Sequence, residues 1–214
     1  MLRLMLFVLL LSTSYSAYDY YMLAQQWPTT YCRHSPQTIN NPCNPNVPIK
    51  FTLHGLWPSN HSGSRPSHCS QTKLNKKSIF GNLETRLIAE WPNLNGVDFQ
   101  FWSHEWEKHG TCSSMAQNPL GYLSLALTIK NKHEILPIFA RANIIPHPTK
   151  TYTKSLINST IVGEIHVIPQ LSCEFDANRN SYLLEIRLCL DQTGATFINC
   201  NPYNNCGNNI ILPL

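Results

Sequence analysis

Eight cysteines, Cys32, Cys43, Cys69, Cys112, Cys173, Cys189, Cys200 and Cys206, constrain the fold of this chain more than any other feature of it. An even number behind a secretory-type start reads as a disulfide framework closed in an oxidising compartment. That start carries Arg3 as its one charge, then the apolar run Leu4 to Leu11, then Ser14 and Ser16 as the small residues of a cleavage site. Residues 1–16 are therefore expected to be a signal peptide and residues 17–214 a single domain. The apolar run is shorter than the ~20 residues of a membrane span, and no later segment is long enough. The expected product is secreted, extracellular or vacuolar, with no membrane partner.

Taking 16 residues from 214 leaves 198, enough for one substantial core, and no linker or repeat divides them. Loss of Arg3 lowers the formal charge from +4 to +3, a mild basic bias that admits a polyanionic substrate without demanding one. Asn60-His61-Ser62 and Asn158-Ser159-Thr160 are glycosylation sequons.

Strands are expected over Tyr18 to Trp27 and Ile49 to Leu56, aromatic and β-branched runs bounded by turn residues, with His54 near the end of the second. Helical spacing runs from Ile79 to Trp91 and stops at Pro92. A further helix should carry His104 to His109, and Asn118-Pro119 caps and starts one reaching Lys132. Glu134 to Arg141 and Tyr152 to Val162 read as helices, whereas Glu164 to Leu171, Tyr182 to Leu190 and Ala195 to Asn199 read as strands. Strands, then helices, then strands imply an α+β domain, helices packed on a mainly antiparallel sheet.

The densest chemistry lies in Phe-Trp-Ser-His-Glu-Trp-Glu-Lys-His-Gly-Thr-Cys, residues Phe101 to Cys112. On a helix His104, Glu105, Lys108 and His109 fall at roughly 0°, 100°, 40° and 140°, one contiguous face. His54 lies in a separate apolar run, so two histidines from different elements suggest a general acid and a general base. Zinc is disfavoured because His104-Glu105 is followed by Lys108 where a second ligand would stand, and His109 is about 140° round the helix.

His54-Gly55-Leu56-Trp57-Pro58 and Phe101 to Cys112 resemble the two active-site segments of the RNase T2 family of secreted ribonucleases. Gln26-Trp27-Pro28 and the cysteine spacing extend the likeness over the mature chain, and within the family toward plant S-RNases of gametophytic self-incompatibility. The resemblance implies the pairs Cys32–Cys43, Cys69–Cys112, Cys173–Cys206 and Cys189–Cys200, out of 105 that the sequence alone allows.

The chemistry has its own logic. RNA supplies its nucleophile, the 2′-hydroxyl, so a protein need only remove that proton, stabilise charge at phosphorus and protonate the departing 5′-oxygen. Which histidine does which is not legible from the residues; the resemblance implies His109 as base and His54 as acid. Lys108 would then stabilise the transition state, Glu105 orient or share a proton, and His104 hold the phosphate. Trp57, Phe101 and Trp102 are candidate base platforms, though Trp102, four residues from Trp106 on a helix, reads more readily as core, and Gln26 is a base contact by family analogy. No metal or cofactor is expected. The partners would be single-stranded RNA and, for an S-RNase, pollen F-box proteins met by a monomer that passes from the stylar matrix into pollen tubes. The alternatives are an S-like ribonuclease of phosphate scavenging or defence, and a catalytically silent recognition or storage protein, which the presence of both histidines disfavours.

Overall fold

The computed structural model describes residues 18–214, so the expected signal peptide lies outside the described residues. In chain order the elements are β1 (Tyr20–Gln26), α1 (Pro28–His34), β2 (Thr52–Ser59), α2 (Gly81–Glu90), α3 (Asp98–Lys108), α4 (Pro119–Lys132), α5 (Ile135–Arg141), β3 (Thr151–Thr153), α6 (Lys154–Ile165), β4 (Gln170–Phe175), β5 (Ser181–Leu190), β6 (Phe197–Ile198) and β7 (Asn209–Ile211). This is the α+β arrangement expected, with the strands in one sheet that runs β2-β1-β5-β7-β3. β5 is its hub, pairing antiparallel with β1, β4 and β6 and parallel with β7.

Alternation along the strands sorts the residues onto two faces. Thr52, Gln26 and Glu185 are register partners, as are Gly55, Ala24 and Arg187, and both sets share one face. Leu53, Leu56, Tyr21 and Leu23 join Trp91, Trp102 and Trp106 in a core with α2, α3 and α4. Ile186 and Leu188 meet a second core formed with α5 and α6.

Four disulfides close Cys32–Cys43, Cys69–Cys112, Cys173–Cys206 and Cys189–Cys200. α4 begins as its sequence predicts, with the Asn118 side chain accepting from Gly121 N–H at 2.9 Å and Pro119 in the first turn. Other boundaries differ. Helix α6 continues through Glu164 and Ile165, and the strand expected at 164–171 begins only at Gln170. His166, expected to alternate in that strand, is the exposed left-handed cap of α6 at φ 61°. The short β3 and β7 carry no period long enough to read, and α1 lies in a Pro-Thr-Thr stretch with weak helical preference.

Candidate active site

β2 supplies the first histidine. Leu53 pairs with Gln25 and Gly55 with Ala24, so His54 is one residue too many for the register and forms a bulge. A bulge re-aims a side chain that strict alternation would send elsewhere. His54 is the third residue of β2, near the start of the strand and not near a C-terminal end at Leu56. Its Nδ1 is hydrogen bonded to Glu185 Oε1 on β5. Arg187 donates to the other oxygen of Glu185 from Nε at 2.9 Å and Nη2 at 2.7 Å. Glu185 is 3% exposed, while 34% of the His54 side chain opens to the cleft.

α3 supplies most of the remainder. Glu105 is buried and its Oε2 accepts from Trp57 Nε1 at 2.9 Å. His109 is not within the helix, as expected, but caps it. α3 stops at Lys108, and the His109 N–H still bonds Glu105 O at 3.0 Å. The turn Gly110–Cys112 follows, and the disulfide from Cys112 to Cys69 ties it to the segment whose His68 N–H donates to Lys108 O at 3.0 Å. The His109 ring is 6% exposed, with Nδ1 enclosed and unpartnered.

These groups meet in a cleft of about 510 Å³ lined by His54, Glu105, Lys108 and His109, together with Trp57, Phe101 and His104. Gln26 lines an adjoining cleft of about 270 Å³ with Tyr31, Asn93 and Asn95, and His54, Phe101 and His104 border both. On the other side Arg65 and Arg187 separate the main cleft from one of about 450 Å³ that reaches Tyr203. All eight residues singled out for catalysis and substrate contact thus lie in joined clefts.

Burial sorts the candidate aromatics. Trp57 is 4% exposed, with the Arg65 guanidinium 4.8 Å and that of Arg187 5.7 Å from its ring centroid, so its indole is covered rather than an open platform. Trp102 is core, its Nε1 donating to Trp91 O at 2.7 Å. Phe101 remains half-buried at the junction of two clefts. The six outer histidines, His34, His61, His68, His133, His147 and His166, line none of the three clefts. Among the sequons, Asn60 lies just past β2 with Nδ2 donating to Ser64 Oγ at 3.1 Å. Asn158 lies within α6 with its Oδ1 enclosed.

The two imidazoles are pushed in opposite directions. Burial lowers the affinity of His109 for a proton, and the charges of Lys108, Arg65, His54 and His104 add to that, bringing its pKa to about 3. Burial opposes charge on His54 too, but the charge and hydrogen bond of Glu185, with Glu105 behind, outweigh it and Arg187, so its pKa rises. Glu185 is penalised by burial yet held down to about 2 by His54 and Arg187. Glu105, buried with only partial compensation from His54 and the Trp57 bond, is raised. Environments that drive two like groups apart are how one site obtains an acid and a base.

Sequence reasoning missed Glu185, Arg187 and Arg65. Glu185 and Arg187 sit in an alternating strand where charged residues normally face solvent, and Arg65 in a loop, so nothing local marked them. Among the described residues no group of three or more His, Cys, Asp or Glu is placed to hold a metal, and no helix is long and apolar enough to cross a membrane.

The model of the ribonuclease T2 family matches residues 18–200. The chain belongs to the ribonuclease T2 family. It is an endoribonuclease by that membership. Extracellular ribonuclease LE of Solanum lycopersicum is 35% identical over 202 residues, 92% of this chain and 87% of that protein. Ribonuclease S-7 of Nicotiana alata is 36% identical over 210 residues, 94% of this chain and 91% of that protein. A mutant of RNase MC1 solved in complex with 5′-UMP superposes at a TM-score of 0.81 with 32% identity, over 92% of this chain and all (100%) of that one. Ribonuclease S-7 and extracellular ribonuclease LE are thus similar to it at nearly equal identity.

Proposed function

We propose that this T2 ribonuclease cleaves single-stranded RNA without a metal, by transesterification to 2′,3′-cyclic phosphate ends, with His109 as general base and His54 as general acid. The observation that carries this is a single cleft where a neutral, desolvated imidazole and a carboxylate-bound imidazole stand together with Lys108 and Glu105. His109 takes the 2′-hydroxyl proton. Lys108 and His104 hold the phosphate and its developing charge, Glu105 shares or orients a proton, and His54 protonates the 5′-oxygen. Each of the acid and the base contributes ~10²–10⁴-fold, and positioned cations at the phosphate several kcal/mol more. Phe101 and Gln26 contact the flanking bases. DNA lacks the 2′-hydroxyl and is not cut.

His54→Ala and His109→Ala should each abolish cleavage of a dinucleotide, and wild type should release a cyclic phosphate product in the presence of EDTA. Loss of cleavage in EDTA with recovery on zinc would sink the metal-free mechanism.

In the plant we read the protein as a secreted, monomeric pistil S-RNase, a single domain of residues 17–214 after removal of residues 1–16, glycosylated at Asn60 and Asn158. It would enter pollen tubes and degrade their RNA unless pollen F-box proteins intercept it. The basic balance, an isoelectric point near 8.6, and the eight-cysteine framework support this. The similarity to extracellular ribonuclease LE supports an extracellular location, which equally suits a second reading as an S-like ribonuclease of phosphate scavenging or defence. Abundance confined to mature styles would favour the first; abundance in leaf or phosphate-starved root would remove it.

A further inference from the structure

The geometry points to Glu185, held by Arg187, as the positioning residue of the general acid, fixing the His54 tautomer and holding its proton for the leaving oxygen. This rests on the reading of His54 as the acid. Glu185 is 3% exposed and Arg187 half-buried, both on the hub strand, and among the described residues the Glu185 side chain bonds only His54 and Arg187. Both Glu185 oxygens are used, Oε1 by His54 Nδ1 and Oε2 by the Arg187 fork at 2.9 and 2.7 Å. An ionised carboxylate only accepts, so Nδ1 must carry the hydrogen. In neutral His54 the lone pair is then on Nε2, and in charged His54 the Nε2–H is the proton that can leave. The bulge at His54 is what lets β2 present the ring across β1 to β5.

The fork matters for a second reason. A carboxylate with a free oxygen could rotate away from the imidazole or take the proton itself. With Arg187 occupying Oε2, Glu185 stays ionised and stationary, stabilising imidazolium as it forms after turnover, the arrangement in which a buried carboxylate orients a catalytic histidine without protonating. The groups that face His54 are Glu185 and Arg187 from β5, Glu105, His104 and Lys108 from α3, His109 from its cap, and Arg65 from the loop after β2. Of the two carboxylates only Glu185 touches the ring.

The test begins on wild type. In protein labelled with ¹⁵N-histidine, His54 should show protonated Nδ1 in its neutral form and titrate above the ordinary ~6.5 of histidine. In Glu185→Gln its pKa should fall, with the alkaline limb of kcat/KM moving to lower pH by the same amount. Activity at neutral pH should drop about 10–10²-fold, within the range a general acid supplies. Glu185→Asp, which keeps the charge on a shorter arm, should restore part of both. A uniform loss of kcat/KM with no movement of the limb or of the His54 titration means Glu185 is structural only and overturns the proposal. Wild-type His54 with its neutral-form proton on Nε2 overturns it with no variant needed. If the titration moves while the limb does not, the pairing is real but the acid is another group, so the premise fails and not the contact. Full activity in His54→Ala would identify that same failure independently.

Discussion

Gly55→Ala is a change of one methyl group that should damage the site more than most deletions in it. A Cβ on Gly55 would lie 2.2 Å from Glu105 Oε2 and 2.2 Å from Trp57 Nε1, between the partners of a buried hydrogen bond 2.9 Å long. Both partners are enclosed, Glu105 at 3% and Trp57 at 4% exposure, so neither can swing aside into solvent. The variant must give up a hydrogen bond to a charged group, ~1.5–3 kcal/mol, and absorb an overpacked methyl, ~1–3 kcal/mol. The expected cost is roughly 3–6 kcal/mol of a total that is typically ~5–15. At a urea slope of ~2 kcal/mol per molar this moves the unfolding midpoint down by ~1.5–3 M. Cleavage should also fall at least ~10²-fold, because displaced Glu105 no longer holds its place beside the acid and base. The assay is urea unfolding followed by tryptophan fluorescence, beside dinucleotide cleavage at a urea-free pH. The cycle with Glu105→Ala isolates the contact, since with that carboxylate gone the alanine at 55 should cost appreciably less. A Gly55→Ala protein with a midpoint within 0.5 M of wild type (about 1 kcal/mol at that slope) and undiminished turnover would refute the reasoning.

Replacing Cys69 and Cys112 together by alanine opens a loop of sequence separation 43, and chain entropy gives a loss of ~4 kcal/mol. Cleavage by the folded remainder should also weaken as the turn behind His109 loosens, and an unchanged urea midpoint would contradict this. The profile of kcat/KM against pH should keep its base down to about 3, where His109 protonates, and lose its acid only above the ordinary histidine pKa of ~6.5, where the raised His54 deprotonates. Titration of His109 at the ordinary ~6.5 in ¹⁵N-histidine spectra would contradict this, and an acid limb near pH 5 alone would not, because Glu105 is itself raised. Lys130 is fully enclosed at 0% exposure, its ammonium bonded to Glu90 and, at 2.8 Å, to Glu134. Lys130→Ala leaves a void beside α4, with Glu90 still held by Lys50 and Glu134 open to solvent, costing about 2–5 kcal/mol by calorimetry without moving the pH profile of cleavage. Wild-type thermal stability would show the ion pairs to be idle.

Much of this protein is decided within short windows of its sequence. The helical spacing before Pro92, the Asn118-Pro119 cap and the alternation of Tyr182 to Leu190 each report a local backbone preference, and each element formed where those signals lie. The concentration of histidine, carboxylate and ammonium between Phe101 and Cys112 named the site for the same reason, since helix geometry converts spacing into direction over a few residues. What lay beyond a window was not legible. The strand expected at 164–171 was absorbed into α6 up to Ile165, and β3 forms only by pairing with β7, register partners 60 residues apart at Thr151 and Ile211, while β7 itself is held between β3 and β5.

The sequence by itself marked the residues to which the chemistry is assigned in our proposal, but not Glu185, Arg187 or Arg65. Only the tertiary structure decided their states. His54 and Glu185 are 131 residues apart, and their contact depends on a bulge in β2 and on β1 lying between two strands, facts of sheet register that no local pattern encodes. Likewise Trp57 reads as a base platform until Arg65 is seen stacked on it. Protonation follows from what surrounds a group in space, burial and the charges facing it, so identical imidazoles became a depressed His109 and a raised His54 only once the chain had folded around them.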